Sequence, residues 1–271
     1  MRLQSTLRPV LDFSPYSAVL LDLDGTLLEA NDVLPGAVDV VARLRREGRN
    51  FAVLSNSTDS PVQVTRRLGR MGIQMEPQRI FTAAAAVAEY VLQTFKPRPR
   101  VFNLSTEGIH ELLEGKVDWV RSAEEPCDAV ISGAPSNVFA TEERQRTGLY
   151  LLRRGVKLVG VCADRVFPSP RGLEFGSGAL TNFLSYASGV APTFCGKPER
   201  IFFEELCQHL SVEPRRCILV GDNLESDIAG AKAVGMTTVL TLGGITRRVD
   251  LMNLSPQRTP DHIVNDLTEL V

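Results

Sequence analysis

Two carboxylates stand two residues apart at the end of an apolar run, Ala18-Val19-Leu20-Leu21-Asp22-Leu23-Asp24-Gly25-Thr26. On an extended strand, residues i and i+2 project to the same side. The carboxylates of Asp22 and Asp24 are therefore expected to face one space while Leu23 packs the other way. Like charges that close raise each other's pKa. One can stay ionised while the other holds a proton, which suits a nucleophile beside a general acid. A bound dication would further favour the ionised form of its ligand. Taken alone, the stretch also reads as an aspartate-rich turn with Asp24-Gly25 at its bend.

Three further strand ends carry polar tips. Ser55 and Asn56 follow Phe51–Leu54, and a hydroxyl there can donate to a phosphoryl oxygen; helix capping or a turn is the plainer role. Lys197 sits between Gly196 and a helix, where its charge opposes the positive end of the helix dipole unless an anion is held there. Asp222 follows the run Ile218-Leu219-Val220-Gly221, and Asp227 lies five residues on, in the first turn of the next helix. Asp227 alone could serve that helix terminus, whereas Asp222 has no such structural task.

The elements that must position these tips alternate along the chain. Ala18–Leu21 and Phe51–Leu54 are strands, and Pro35-Gly36 and Pro61 open helices after them; Val40, Val41 and Leu44 mark the buried stripe of the first. The pattern returns late, with an amphipathic helix around Ile201–Leu210, the strand ending at Asp222, a helix expected to be capped by Ser226 and closed by Gly235, and a further strand at Thr237–Leu242. This βαβα order predicts an α/β fold, a Rossmann-like parallel sheet covered by helices. Between the halves lies a second alternation, with helices at Ala84–Thr94 and Thr141–Arg154 and strands near Arg100–Leu104, Val117–Val120, Ala129–Ser132 and Val156–Val161. The expected division is a discontinuous core of residues 1–75 and 191–271 and an inserted smaller α/β module of residues 76–190. The stretches KPRPR, SAEEPCD and FPSPRG read as turns of the insert. In EFGSGAL, Ser177 is expected to cap the following helix, and the glycines to let the two modules meet closely.

Composition narrows the function. The chain has 271 residues, 44% hydrophobic and 23% charged, with a net charge of −2. No overall field attracts nucleic acid or an anionic membrane surface, and no apolar run is long enough to span a membrane. The opening stretch MRLQSTLRPVLDFSP lacks the apolar centre of a signal peptide. Cys127, Cys162, Cys195, Cys207 and Cys217 form no CxxC pair and read as reduced thiols of a cytoplasmic protein. His110, His209 and His262 have no ligand-spaced partners, which disfavours zinc or a Ser-His-Asp triad. Neither GxGxxG after the first strand nor a GxxxxGK[ST] loop occurs, so dinucleotide binding and P-loop chemistry are disfavoured.

In order and spacing, DLDGT, a strand ending in Ser55, Gly196-Lys197 and GDNLESD resemble the four motifs of the haloacid dehalogenase-like superfamily. The insert between Ser55 and Lys197 resembles the type-two cap of the NagD-like class IIA phosphatases, as do LPGAVDVVARLRREG and GDNLESDIAGAKAVGM. The resemblance implies a phosphatase in which Asp22 attacks phosphorus and forms an aspartyl-phosphate. Asp24 would protonate the leaving alcohol and then deprotonate the hydrolytic water. Mg²⁺ would be held by Asp22, the backbone carbonyl of Asp24 and Asp222, with Asp227 binding a metal water or orienting the loop. Ser55, Asn56 and Lys197 would hold the phosphoryl oxygens. The implied substrate is a small phosphorylated metabolite, because a closing cap excludes phosphoproteins and duplex nucleic acid.

Two insert loops depart from the class pattern. Pro135 stands where an aspartate is expected, and Cys162-Ala163 where Thr-Asn is expected. Asp164 and Arg165 are the residues of the insert that could reach substrate. A dehalogenase is disfavoured because it needs neither Asp24 nor Asp222. Transfer to another acceptor by a phosphotransferase or phosphomutase stays open, a catalytically silent binding module is a third reading, and a sheet edge in the insert leaves a homo-oligomer such as a dimer open.

Overall fold

The computed structural model describes residues 11–30, 32–133, 138–169 and 172–271. Pro135 and the first ten residues, both weighed above, lie outside the described residues.

The apolar run becomes β1 (Ala18–Asp22), buried along its whole length, as a strand covered on both faces must be. A short antiparallel hairpin follows, β2 (Leu28–Glu29) and β3 (Asp32–Val33). Helix α1 (Ala37–Arg46) buries Ala37, Val40, Val41 and Leu44 at helical spacing. After β4 (Phe51–Ser55) comes α2 (Pro61–Arg70). Its start is fixed by a capping box, in which the Ser60 hydroxyl accepts from Gln63 N and the Gln63 side chain accepts from Ser60 N. The chain continues through β5 (Ile80–Thr82), α3 (Ala83–Thr94), β6 (Arg100–Leu104), α4 (Glu107–Leu113), β7 (Asp118–Trp119), β8 (Ala129–Ser132), α5 (Glu142–Arg153) and β9 (Lys157–Gly160). A second hairpin, β10 (Val166–Ser169) and β11 (Gly172–Phe175), leads to α6 (Ser177–Ser188), β12 (Pro192–Phe194) and α7 (Arg200–Leu210). The last part holds β13 (Cys217–Gly221), a π-helical run Leu224–Ala229 that continues as α8 (Gly230–Ala233), β14 (Thr237–Thr241) and β15 (His262–Val264).

Two parallel sheets result. The larger has the order β15-β14-β13-β1-β4-β5 and the smaller β12-β9-β8-β6-β7. In the larger sheet β1 is flanked by β4, reached forward along the chain, and by β13, reached only after the insert. Chain direction across the sheet reverses here, and ligand crevices of open α/β sheets lie beyond the carboxyl ends of such strands. The register Asp22↔Leu54 and Leu21↔Val220 brings Asp22, Ser55 and Asp222 to that one end.

The passages between the sheets fall later than the expected boundaries at 75/76 and 190/191. Ile80–Thr82 pairs with β4 in the larger sheet, and Pro192–Phe194 pairs with β9 in the smaller. Three-residue strands are too short for alternation to show in sequence. Helix α3 lies where the two sheets meet. Ala83, Ala84, Ala86 and Val87 are fully buried, in one apolar cluster that includes Leu20 and Ala52 of the larger sheet and Val101 and Ile131 of the smaller. The first six residues of α3 are apolar on every side and need cover all round, whereas Glu89, Gln93 and Thr94 further along are exposed.

Three local expectations are corrected. FPSPRG is not simply a turn, because β10 and β11 pair across it. Ser177 does not cap α6: the N-cap is Gly176, and Ser177 is the first helical residue. The glycines beside it pack within the insert, since side chains at Gly176 and Gly178 would meet the backbone of Asp164 and Ala163. No helix of the described residues is long and apolar enough to cross a membrane.

Candidate active site

Four charged side chains from three strand ends meet in the interior. Asp22 closes β1, Asp222 follows β13, Asp227 lies in the helical run after it, and Lys197 follows β12; each is at most 4% exposed. Buried charges at that depth persist only when paired or bound to a metal. The Lys197 ammonium lies 2.5 Å from Asp22 Oδ1 and 2.7 Å from Asp227 Oδ1. Burial alone would pull the lysine down, but the charges and hydrogen bonds of Asp22 and Asp227 outweigh it and hold the ammonium firmly protonated. Burial pushes the Asp22 carboxyl well above its ordinary range; Asp227 and Asp222 add to the rise and Lys197 opposes it. Burial and the charge of Asp227 lift Asp222 to about 6, against the hydrogen bond from Ile245 N.

One ammonium thus faces three carboxylates. Oxygens of Asp22, Asp222 and Asp227 lie within 4.8 Å of one another, the one His/Cys/Asp/Glu group among the described residues arranged to hold a metal ion. Asp22 Oδ2 is buried and has no hydrogen-bond partner. An all-carboxylate donor set with excess negative charge suits a hard dication such as Mg²⁺ or Ca²⁺ better than zinc.

The backbone around this cluster is shaped to it. Gly25 has φ +95°, and a Cβ there would overlap the carboxylate of Asp222. A Cβ at Gly244 would overlap the same carboxylate from the other side. The loop after β14 is then close enough for Ile245 N to donate to Asp222 Oδ2 at 2.7 Å. Asn223, not Ser226, caps the helical run: its side chain accepts from Glu225 N and Ser226 N, and its own N–H donates to Asp227 Oδ2 at 3.1 Å. Asn223 offers its acceptor three residues nearer the strand, at the N-cap position itself, and so takes the place expected for the serine.

Asp24 does not share the environment of Asp22. Leu23 is buried between them as expected, but the Asp24 side chain is 49% exposed. Ser55 Oγ donates to Asp24 Oδ2 at 3.3 Å, and Arg67 Nη2 donates to Oδ1 at 2.8 Å. The expected mutual perturbation of Asp22 and Asp24 is therefore replaced: the carboxylates that lift Asp22 are Asp227 and Asp222.

Ser55 is buried at the tip of β4 beside the cluster. Both polar atoms of the Asn56 side chain are engaged by neighbouring residues. Its Oδ1 accepts from Lys197 N at 2.8 Å, and its Nδ2 donates to Lys197 O at 3.0 Å and to Asp164 Oδ2 at 3.1 Å. Asp164 is thus brought from the insert onto the core, whereas Arg165 is exposed and its carbonyl accepts from Gly176 N. The insert is also pinned by Ser60 Oγ donating to Glu111 Oε2 at 2.6 Å and Thr106 Oγ1 donating to Thr58 O at 2.8 Å. Sequence reasoning missed Arg67, one arginine among many on a helix. It also missed the 243–245 loop, although adjacent Gly243-Gly244 after a strand was a usable signal.

The family profile described as haloacid dehalogenase-like hydrolase matches residues 19–116, and one described as HAD-hydrolase-like matches residues 194–270. A 5'-nucleotidase, YutF, of Bacillus subtilis is 30% identical over 94% of this chain and 98% of its own length. An acid sugar phosphatase of Staphylococcus aureus is 32% identical over 94% and 97%. Among solved structures, a glycerol phosphate phosphatase of Mycobacterium tuberculosis in complex with magnesium superposes with a TM-score of 0.87 at 26% identity, over 95% of this chain and 77% of that one.

Proposed function

Because this chain belongs to the haloacid dehalogenase-like hydrolases, in the NagD-like class IIA, and is a phosphatase, we propose that it hydrolyses a small-molecule phosphate monoester, with Mg²⁺, through an aspartyl-phosphate on Asp22. The observation that carries this reading is the state of Asp22. One carboxylate oxygen is fixed by Lys197, and the other is buried without a partner at the end of the central strand.

Asp22, Asp222 and the backbone carbonyl of Asp24 would hold the ion, with Asp227 acting through water or by orienting the loop. When bound, the ion supplies charge neutralisation for the phosphoryl oxygens and for the three carboxylates. Ser55 and Lys197 face the phosphoryl group as neutral and charged donors and stabilise charge that builds on it. Asn56 contributes by fixing the Lys197 peptide. Asp22 attacks phosphorus, the bond from phosphorus to the leaving oxygen breaks, and Asp24 gives that oxygen its proton, so a neutral alcohol departs. The Asp24 carboxylate then takes a proton from the water that attacks phosphorus, and Asp22 is released as a carboxylate.

The insert acts as the cap over this crevice, and its hold on the core through Asp164, Glu111 and Thr106 supports a small substrate over a macromolecular one. Five unpaired cysteines favour a reducing compartment, and we place the enzyme in the cytoplasm. The test is phosphate release from 4-nitrophenyl phosphate and a panel of phosphorylated metabolites. Wild type should act with Mg²⁺ and stop with EDTA, and Asp22→Asn should lose turnover while keeping a cooperative unfolding transition. Turnover that survives Asp22→Asn removes the nucleophile.

A further inference from the structure

Arg67 lies outside all four motif segments, yet it makes the shortest hydrogen bond to the Asp24 carboxylate. Its Nη2 donates to Asp24 Oδ1 at 2.8 Å and to Ala30 O at 2.8 Å. One nitrogen therefore ties three elements: helix α2, the loop after β1, and the turn between β2 and β3. Ala30 holds φ +52°, a left-handed conformation that a non-glycine residue adopts only when its surroundings impose it.

The pair contributes little to stability. The side chains of Arg67 and Asp24 are 30% and 49% exposed, and ion pairs so exposed are weak. What the pair fixes is orientation. The other hydrogen bond to the carboxylate among the described residues, from Ser55 Oγ at 3.3 Å, is long and reaches only Oδ2. Without Arg67, a half-exposed aspartate reverts to its free rotamers and turns to water.

We infer that Arg67 is a positioning residue that aims Asp24 at the leaving-group oxygen, an inference that rests on the phosphatase reading above. In the first step Asp24 gives a proton to that oxygen as its bond to phosphorus breaks and the bond from Asp22 to phosphorus forms. The carboxylate left behind is the form that Arg67 binds. In the second step the same carboxylate takes a proton from the attacking water.

The test uses kcat/KM, which reports the first irreversible step, on phenyl phosphate and 4-nitrophenyl phosphate. The two are similar in shape, but phenolate is the poorer leaving group and needs the proton more. Arg67→Ala should lose about tenfold more on phenyl phosphate than on 4-nitrophenyl phosphate, in line with the value of a positioned acid. Asp24→Asn should show the same bias, and Asp24→Asn/Arg67→Ala should be no worse than Asp24→Asn alone. Arg67→Lys should recover part of the lost selectivity. Equal losses on both substrates, no loss, or additive losses in the double variant would overturn the inference and leave Asp22 and the metal site standing. Absence of leaving-group bias in Asp24→Asn itself would remove the proton role of Asp24, and the inference with it.

Discussion

Asn56 grips the Lys197 peptide from both sides, accepting from its N–H at 2.8 Å and donating to its carbonyl at 3.0 Å. Asn56 directly follows Ser55, the last residue of β4. The donor at the strand tip and the ammonium are therefore set relative to each other, though far apart in sequence. Asn56→Ala strands the N–H and carbonyl of Lys197 and removes one donor from Asp164, which keeps the Cys162 thiol at 3.2 Å. Each unmet buried group costs about 1–3 kcal/mol, so with two of them urea denaturation should show a loss of about 2 kcal/mol or more and phosphate release should fall by about tenfold or more. Asn56→Asp should be worse than a neutral isostere, because it sets a second carboxylate against Asp164. Wild-type turnover in Asn56→Ala would show that the clamp does not position Lys197.

Lys197 is the positive partner of a buried acidic cluster, so its removal should act differently with and without metal. Breaking a buried pair costs about 3–5 kcal/mol. Lys197→Met should lose that much in EDTA, measured by denaturant unfolding, and recover part of it in excess Mg²⁺. Turnover should stay depressed by roughly a hundredfold or more even with the metal saturated, because charge on the phosphoryl group loses a donor. Equal destabilisation with and without Mg²⁺ would argue that the ion does not share these carboxylates.

Asp222 gives the metal-free protein a definite pH dependence. Its carboxyl is raised from the ordinary 3.8 to about 6 by burial and by Asp227. A raised acid stabilises the fold where it is protonated, so its contribution is complete below pH 3.8, is lost as the pH rises to about 6, and stays absent above. At about 1.4 kcal/mol per pH unit, the fall across that window is about 3 kcal/mol. Asp22 acts in the same direction. Asp12, Glu76, Asp128 and Asp261, which hydrogen bonds and cations hold down, act in the opposite direction, and their contributions are complete once the pH passes the ordinary carboxylate values of 3.8 and 4.5 at the foot of that window. In EDTA the unfolding temperature should therefore decline from pH 4 to pH 6. Mg²⁺ should flatten that decline, and Asp222→Asn should reduce it and raise stability at pH 7. A metal-free protein that gains stability over the same window would contradict this account.

The fold and the chemical centre were legible in sequence for one reason. Each rests on a local pattern: apolar runs such as Ala18–Leu21 and Cys217–Val220, and polar residues placed at their ends. Because parallel strands end together, Asp22, Ser55 and Asp222 had to converge once the sheet was parallel. What stayed hidden depends on contacts between distant segments. The competition of Asn223 with Ser226 for one helix end, the diversion of Asn56 to the Lys197 peptide and the pairing of Asp24 with Arg67 are decided by partners that no spacing rule connects. The short strands β5 and β12 fell below the length at which period can be read, and for that reason the passages between the sheets were misplaced.

Gly244 gives the sharpest structural test of the metal reading. A Cβ there would overlap the Asp222 carboxylate on one side and the carbonyl of Gly25 on the other. The carbonyl is backbone, and it sits on a residue at φ +95° whose own missing Cβ makes room for the same carboxylate. Neither wall can yield cheaply, so Gly244→Ala must displace Asp222 or the 243–245 loop, and with it the hydrogen bond from Ile245 N. Overpacking of this kind costs about 1–3 kcal/mol. The larger effect should fall on metal binding: the rise in unfolding temperature on adding Mg²⁺ should shrink or vanish in Gly244→Ala, and the Mg²⁺ concentration for half-maximal turnover should increase by tenfold or more. Gly243→Ala is the control, since the nearest atom to a Cβ there is 3.5 Å away. If both variants bind Mg²⁺ like wild type, Asp222 is not the ligand its position suggests.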